Sequence, residues 1–430
     1  MQRIILHLDV NSYFASVEQQ ANPFYRGKPL GVAATMTLYG CLIATSKEAK
    51  AKGIVTGTRV KDGLALDPNL IVVEVDPPKY RSTTEKIFSI LAEYSEDIET
   101  YSIDEAFVNL TGFVKDVTDA SQLAQRIKQR IFNEVGEWLT CSMGIAPTRW
   151  LAKFASDTAP KGELVVLTRE NLDGYLEGKA LTEAWGIAHR MEARLLDLGI
   201  KNLWELKHYP VTNLMEAFGI KGYELWANLN GVELSGVQTP RPPKSVGHSH
   251  VLRRRTVDHR FHEAVLMKLC EKTGRRLRSL DMEAGGFWLG FGTTLGSGGD
   301  SVRFPDRTAD SRALFRTAVD IFRQQHKAGV PTHFAVGCFN LVPVSRQGSL
   351  FAKPKDYGLE KAMDEINDKY GEYVVTTGAM FGLAKHHADD RIGFRKTVSW
   401  DVAALDKRLM GRDAGLAIDH GPELIREEAT

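Results

Sequence analysis

The sequence predicts an α+β protein of several domains, and three observations carry that prediction. The chain has 430 residues, more than one ordinary domain holds, which fits two to four. Its first part alternates short apolar runs with stretches of helical period, the pattern of a sheet covered by helices. A Pro-rich, weakly apolar stretch over 236–245 (GVQTPRPPKS) then separates this body from a block of different charge, as an extended linker would.

Residues 4–10 read as a buried strand and 12–20 as the helix after it. Asn22-Pro23 and Arg26-Gly27-Lys28-Pro29 are turn chemistry. Residues 30–34 (LGVAA) read as a strand, and 45–53 (TSKEAKAKG) as a helix capped by Thr45 or Ser46 and closed by Gly53. Over 79–96, Tyr80, Ile87, Leu91 and Tyr94 recur at helical spacing. Two short strands at 98–101 and 106–110 follow, joined by Ser102-Ile103-Asp104-Glu105, then a helix over 121–138 and a strand over 139–146 (LTCSMGIA). Together these strands predict a mixed or antiparallel sheet.

Residues 171–235 change to short helices and small-residue turns. Trp185-Gly186-Ile187-Ala188, followed by an apolar run to Ile200, has the form of a helix–hairpin–helix unit, although Ala188 stands where a second glycine is usual. Such a hairpin offers backbone N–H groups to a phosphate and reads no base. Beyond the linker, helices over 259–280 and 310–328 alternate with strands that include 286–293 and 333–342, a separate small α/β sandwich. A helix over 358–370 follows, and the last 30 residues are polar and expected to be mobile.

Charge divides along the same boundary. Residues 241–330 hold 17 Lys+Arg against 9 Asp+Glu, a net of +8, while the rest of the chain carries −7. A basic block beside an acidic body points to a polyanionic partner for one region only. No run of about 18 apolar residues is present and no secretory leader opens the chain, so a cytoplasmic protein is expected. Cys41, Cys141, Cys270 and Cys338 form no CxxC pair, which argues for small buried hydrophobes and against a zinc or redox motif.

The candidate chemistry lies in three acids. Asp9 ends the first apolar strand, which would hold its carboxylate at a sheet edge. Asp104 and Glu105 are neighbours, and neighbours on a regular strand point to opposite faces, so both reach one cluster only at a hairpin tip or bulge. Three clustered carboxylates repel one another unless a hard cation such as Mg²⁺ or Mn²⁺ joins them. Two such ions can activate a primer 3′-hydroxyl and stabilise leaving pyrophosphate.

The wording around these acids is specific. HLDVNSYFASVEQQ (7–20) resembles the first motif of the Y-family DNA polymerases, and YSIDEAF (101–107) their second carboxylate motif. CSMGIAPTRWLAKFASD (141–157) resembles the third palm segment, and KSVG (244–247) the entry to the family's little finger. These stretches stand in family order and spacing over roughly residues 1–345. DVNSYFASVE and GCLIATSKEAKAKG resemble the catalytic subunit of bacterial polymerase V more than polymerase IV.

The resemblance implies a right hand: palm over 1–14 and 78–170, fingers over 15–77, and a thumb with the hairpin over 171–236. A linker over 237–244, a little finger over 245–345 and a tail over 346–430 complete it. It implies error-prone, template-directed DNA synthesis past damaged bases, using two Mg²⁺ per site, or Mn²⁺. Primer-template DNA and deoxynucleoside triphosphates would be the substrates, with the bacterial sliding clamp, and accessory subunits where required, as partners. Asp9 and Asp104 would bind both ions and Glu105 the reactive one, with the Val10 carbonyl completing the set. Phe14 matches the steric gate, an aromatic ring under the sugar that excludes a 2′-hydroxyl, with Tyr13 the runner-up. Nucleotide contacts would fall on Tyr13, Thr45, Lys47, Lys50 and Lys161.

Two departures weaken the phosphate grip. Lys47 and Lys50 stand where polymerase IV-like members carry Tyr and Arg, which retains point charge but loses the planar fork. Pro160 precedes Lys161, where the family's lysine precedes its proline, with one residue deleted. DNA contacts are expected at Gly186, Ile187, Lys244, Arg253, Arg254 and Arg255, and along the next helix at Lys272, Arg275, Arg276 and Arg278. Gln347-Gly348-Ser349-Leu350-Phe351 resembles the clamp-binding pentapeptide, with Gln347, Leu350 and Phe351 as anchors. Two other readings fit the sequence less well. A non-catalytic scaffolding relative would be expected to lose one of the three carboxylates, and a palm-type cyclase needs neither gate nor hairpin.

Overall fold

Leu6 and Leu8 are wholly buried, and the strand that carries them, β1 (Ile5–Val10), is the centre of the first unit. The structure, a computed structural model, describes residues 3–34, 36–238, 242–252, 255–344, 357–371 and 373–381. The chain divides into two compact units at Arg241/Pro242.

In the first unit, β1 is followed by β2 (Leu30–Ala33), β3 (Leu42–Thr45), β4 (Ile71–Glu74), β5 (Ile98–Thr100), β6 (Glu105–Asn109), β7 (Cys141–Ala146) and β8 (Leu164–Val166). Five of these form one sheet in the order β5-β6-β1-β7-β8, antiparallel except for the β7–β8 pair. A second sheet, β3-β2-β4, pairs β2 antiparallel with β3 and parallel with β4. β3, β4 and β8, of three or four residues each, add to the strands expected from the sequence.

Helices cover the larger sheet. Tyr13–Ala21 follows β1, and Pro77–Ala92 buries Tyr80, Ile87, Phe88 and Leu91. The helix expected up to residue 138 is α-helical over Val117–Arg130 and passes into a π-turn at Ile131–Val135. The helix expected over 45–53 is a single turn, Lys47–Lys50. Ser46 is its cap, accepting from the Ala49 N–H, and Gly53 follows in the left-handed region at φ 79°. The Arg149–Thr158 helix lies so close on β7 that a Cβ at Gly144 would sit 2.1 Å from the Ala152 carbonyl oxygen. Only glycine permits that approach.

The second unit is one antiparallel sheet built from β9 (Ser245–Val251), β10 (Met282–Thr293), β11 (Gly296–Thr308) and β12 (Pro331–Pro343), in the order β11-β10-β12-β9. His259–Ser279 and Ser311–Gln325 pack against it, closing a core that includes Phe287, Leu289, Phe334 and Val336. The sequence reading passes over β11. As an exposed edge strand rich in Gly, Asp and Arg (GSGGDSVRFPDRT), it has no apolar face to declare itself.

The Gly358–Tyr370 helix belongs to this second unit and is docked on it, although the sequence places it in a tail. Arg278, 8% exposed, donates to both carboxylate oxygens of Asp364 at 2.7 and 2.9 Å. Arg275 pairs with Asp368. These two arginines, expected to face DNA, therefore hold an intramolecular helix instead. Among the described residues no helix is long and apolar enough to cross a membrane. Cys141, Cys270 and Cys338 are buried free thiols, and burial pushes Cys141 and Cys338 up to about 12, while Cys41 is exposed.

Candidate active site

Strand register brings the acids together. Asp9 of β1 lies directly across from Glu105 of β6, and the Val10 N–H donates to the Asp104 carbonyl at 3.0 Å. Directly opposite residues of an antiparallel pair share a face, so Asp9 and Glu105 lie side by side. Asp104 lies just before β6 begins, in a turn fixed from two sides. Ser102 Oγ donates to its carboxylate, and Thr84 Oγ1 donates to the Ile103 carbonyl at 2.6 Å.

The three acids differ in charge state. Burial, then the neighbouring Asp104 and Glu105, raises Asp9 to about 8. Burial, reinforced by Glu105 and opposed by the Ser102 hydroxyl, raises Asp104 to about 6. Burial would raise Glu105 too, but adjacent His7 and Lys153 outweigh it and hold Glu105 down at about 2. Lys153 Nζ lies 2.7 Å from Glu105 Oε2, and His7 Nε2 lies 3.3 Å from the same atom.

Among the described residues no three His, Cys, Asp or Glu side chains form a finished metal cage. The donor chemistry nevertheless fits a hard divalent cation. Asp9 and Asp104 are desolvated carboxylates held above their ordinary range, and a cation between them reverses the cause.

The gate candidates separate clearly. Tyr13 is 3% exposed, with its hydroxyl 2.7 Å from both the Tyr80 carbonyl and Thr84 Oγ1, so its side chain is committed to the core. Phe14 is half-buried and stacks on Tyr80 at 4.6 Å. Only Phe14 therefore has a ring edge to offer a ligand.

Two of the three candidate phosphate lysines act at the acids. Lys161 and Asp9 interact electrostatically, and Lys50 feels both, its pKa lowered by burial and then by Lys161. Lys50 also donates to Ser12 Oγ at 2.8 Å. Lys47 instead lies over the Trp138 ring at 5.4 Å. Thr45 is fully buried, and its hydroxyl has no hydrogen-bond partner among the described residues.

In the hairpin, Gly186 has φ 102°, but the Ile187 side chain is 5% exposed and its N–H donates to Ala184. Lys244 and Arg255 are exposed. Arg253, Arg254 and the anchors Gln347, Leu350 and Phe351 lie outside the described residues.

Sequence reasoning missed Lys153 and His7. Both had a signal: Lys153 precedes Asp157 by one helical turn inside the third motif, and His7 shares a strand face with Asp9.

Paired carboxylates on one sheet, with Lys50 and Lys161 in electrostatic reach of Asp9, and a separate basic α/β unit fit a nucleotidyl-transfer type of protein. The impB/mucB/samB family model matches residues 8–157, and the model of that family's C-terminal domain matches residues 243–350. A DNA polymerase IV of Pelotomaculum thermopropionicum is 30% identical over 86% of this chain and 94% of its own. One of Moorella thermoacetica is 33% identical with the same coverages. A Y-family DNA polymerase chimera of known structure covers 79% of this chain and 99% of its own at 24% identity, with a TM-score of 0.70, which speaks for the fold. This chain belongs to the impB/mucB/samB family of Y-family translesion DNA polymerases. Both relatives bear the name polymerase IV, where the wording of two motifs points toward polymerase V.

Proposed function

We propose that this chain is a DNA-directed DNA polymerase that extends primers past damaged bases by nucleotidyl transfer at Asp9, Asp104 and Glu105. The observation that carries the reading is the β1–β6 register, which sets Asp9 beside Glu105 with Asp104 in the adjoining turn. Asp9, Asp104 and the Val10 carbonyl would hold two Mg²⁺, or Mn²⁺, with Glu105 as the further ligand. The ions supply Lewis-acid activation of the primer hydroxyl and neutralise charge on the leaving group. Lys50 and Lys161 orient the triphosphate as point charges, and Phe14 underlies its sugar. Lys244 with Arg253, Arg254 and Arg255 grips the DNA backbone without reading sequence. Gly186 and the hairpin add a backbone contact. Gln347, Leu350 and Phe351 would tether the chain to a sliding clamp.

Primer extension by the full chain on undamaged and abasic templates, with Mg²⁺, tests the reading. Asp104→Ala is expected to lose extension by about 10³-fold or more while DNA binding persists. Extension by that variant at the wild-type rate would end the assignment. Phe14→Ala is expected to admit ribonucleotides, measured as the ratio of kcat/KM for a ribo- and a deoxynucleotide. The discrimination lost is on the order of 10²-fold, the scale of a steric contact between ring and hydroxyl. An unchanged ratio removes Phe14 as the gate.

A further inference from the structure

Lys153 is the cation in contact with one of the three acids. Its side chain is 9% exposed, with Nζ 2.7 Å from Glu105 Oε2 and 3.1 Å from Asp157 Oδ1. The rings of Tyr101 and Trp185 lie 5.7 and 5.8 Å from the ammonium and confine it. Asp157 anchors it from its own helix, one turn on, so the ammonium stands fixed between two carboxylates. Glu105 is thus drawn toward the Arg149–Thr158 helix. The carboxylates of Asp9 and Asp104 have no such cation in contact among the hydrogen bonds and ion pairs of the described residues.

We propose that Lys153 is a positioning residue that holds the Glu105 carboxylate toward the Arg149–Thr158 helix and competes with a divalent cation for it. The same ammonium competes with the incoming ion for Glu105 and repels it across a short, poorly solvated distance. This inference rests on the polymerase reading of the three acids.

Mn²⁺ binding to the full chain, without DNA or nucleotide and followed by electron paramagnetic resonance, tests it. Lys153→Met is expected to bind Mn²⁺ about tenfold more tightly than wild type, and Lys153→Arg to bind as wild type does. In a Glu105→Gln background, Lys153→Met is expected to tighten Mn²⁺ binding by less than it does with Glu105 present, because only the repulsion of the ion is left to relieve. If Lys153→Met is too unstable to measure, Lys153→Gln keeps a donor without the charge and carries the same expectation. A merely structural lysine would shift melting temperature and leave these affinities alone. If wild type shows no Mn²⁺ binding that Asp104→Asn weakens, both the metal-site reading and this role fall. If it does, and the Lys153 variants bind equally or less tightly, only the role of Lys153 falls.

Discussion

Asp9→Asn is expected to lose primer extension by about 10³-fold or more and yet to melt higher than wild type in chelator at pH 8. Asp9 is raised in the fold to about 8 from 3.8. A carboxylate raised by folding leaves stability intact below its unfolded value and removes it as pH climbs through the folded one. Asp104 acts in the same direction over a narrower window that closes near its folded value of about 6. Glu105 acts oppositely: held down at about 2, it contributes stability above 4.5 and loses it only as pH falls toward 2. Between about pH 6 and 8, then, Asp9 alone among the three sets the slope. Asparagine keeps the shape and removes the charge. The gain at pH 8 is on the order of 2 kcal/mol after discounting for partial exposure, a rise of several degrees. At pH 5, only a little above the unfolded value of 3.8, the gap should be much smaller, and it should close as pH falls below 3.8. Differential scanning calorimetry at both values, with chelator and again with Mg²⁺, reads this directly. Equal melting at pH 8 would show that Asp9 is well solvated and not part of a strained acidic cluster.

The acids were legible in the sequence because each ends or begins a strand whose apolar run is visible. Their convergence was legible only through the resemblance, since register between strands almost a hundred residues apart leaves no local mark. Charge state was not legible. Nothing in YSIDEAF distinguishes Asp104, raised by burial, from Glu105, lowered by His7 of the neighbouring strand and by a lysine on a distant helix. Composition also misled in one place. The basic run on His259–Ser279 looked like a DNA grip, whereas Asp364 and Asp368 of a helix about 90 residues downstream in sequence take two of its arginines. Net charge counts residues and cannot say which are already paired.

Arg149→Leu is expected to destabilise the first unit by about 3–5 kcal/mol. Arg149 Nε and Nη2 each lie 2.7 Å from a Glu99 oxygen, with Arg149 7% and Glu99 6% exposed. The guanidinium also lies 4.1 Å from the Phe107 ring centre and 5.5 Å from that of Trp185. Leucine would leave the Glu99 carboxylate buried without its guanidinium, and the penalty for that uncompensated charge exceeds anything the added apolar packing returns. Arg149→Leu combined with Glu99→Leu should therefore recover most of the loss, because removing both charges removes the penalty. Recovery stays incomplete by about 1 kcal/mol, since Glu99 Oε2 also accepts the Gln238 N–H at 3.0 Å and leucine cannot. Arg149 begins the helix that carries Lys153, so the single variant should also lower kcat at temperatures where it remains folded. Urea unfolding of the two variants, followed in the first unit's transition, separates the cases. A double variant as unstable as the single would mean that packing, and not the stranded carboxylate, is what Arg149 supplies.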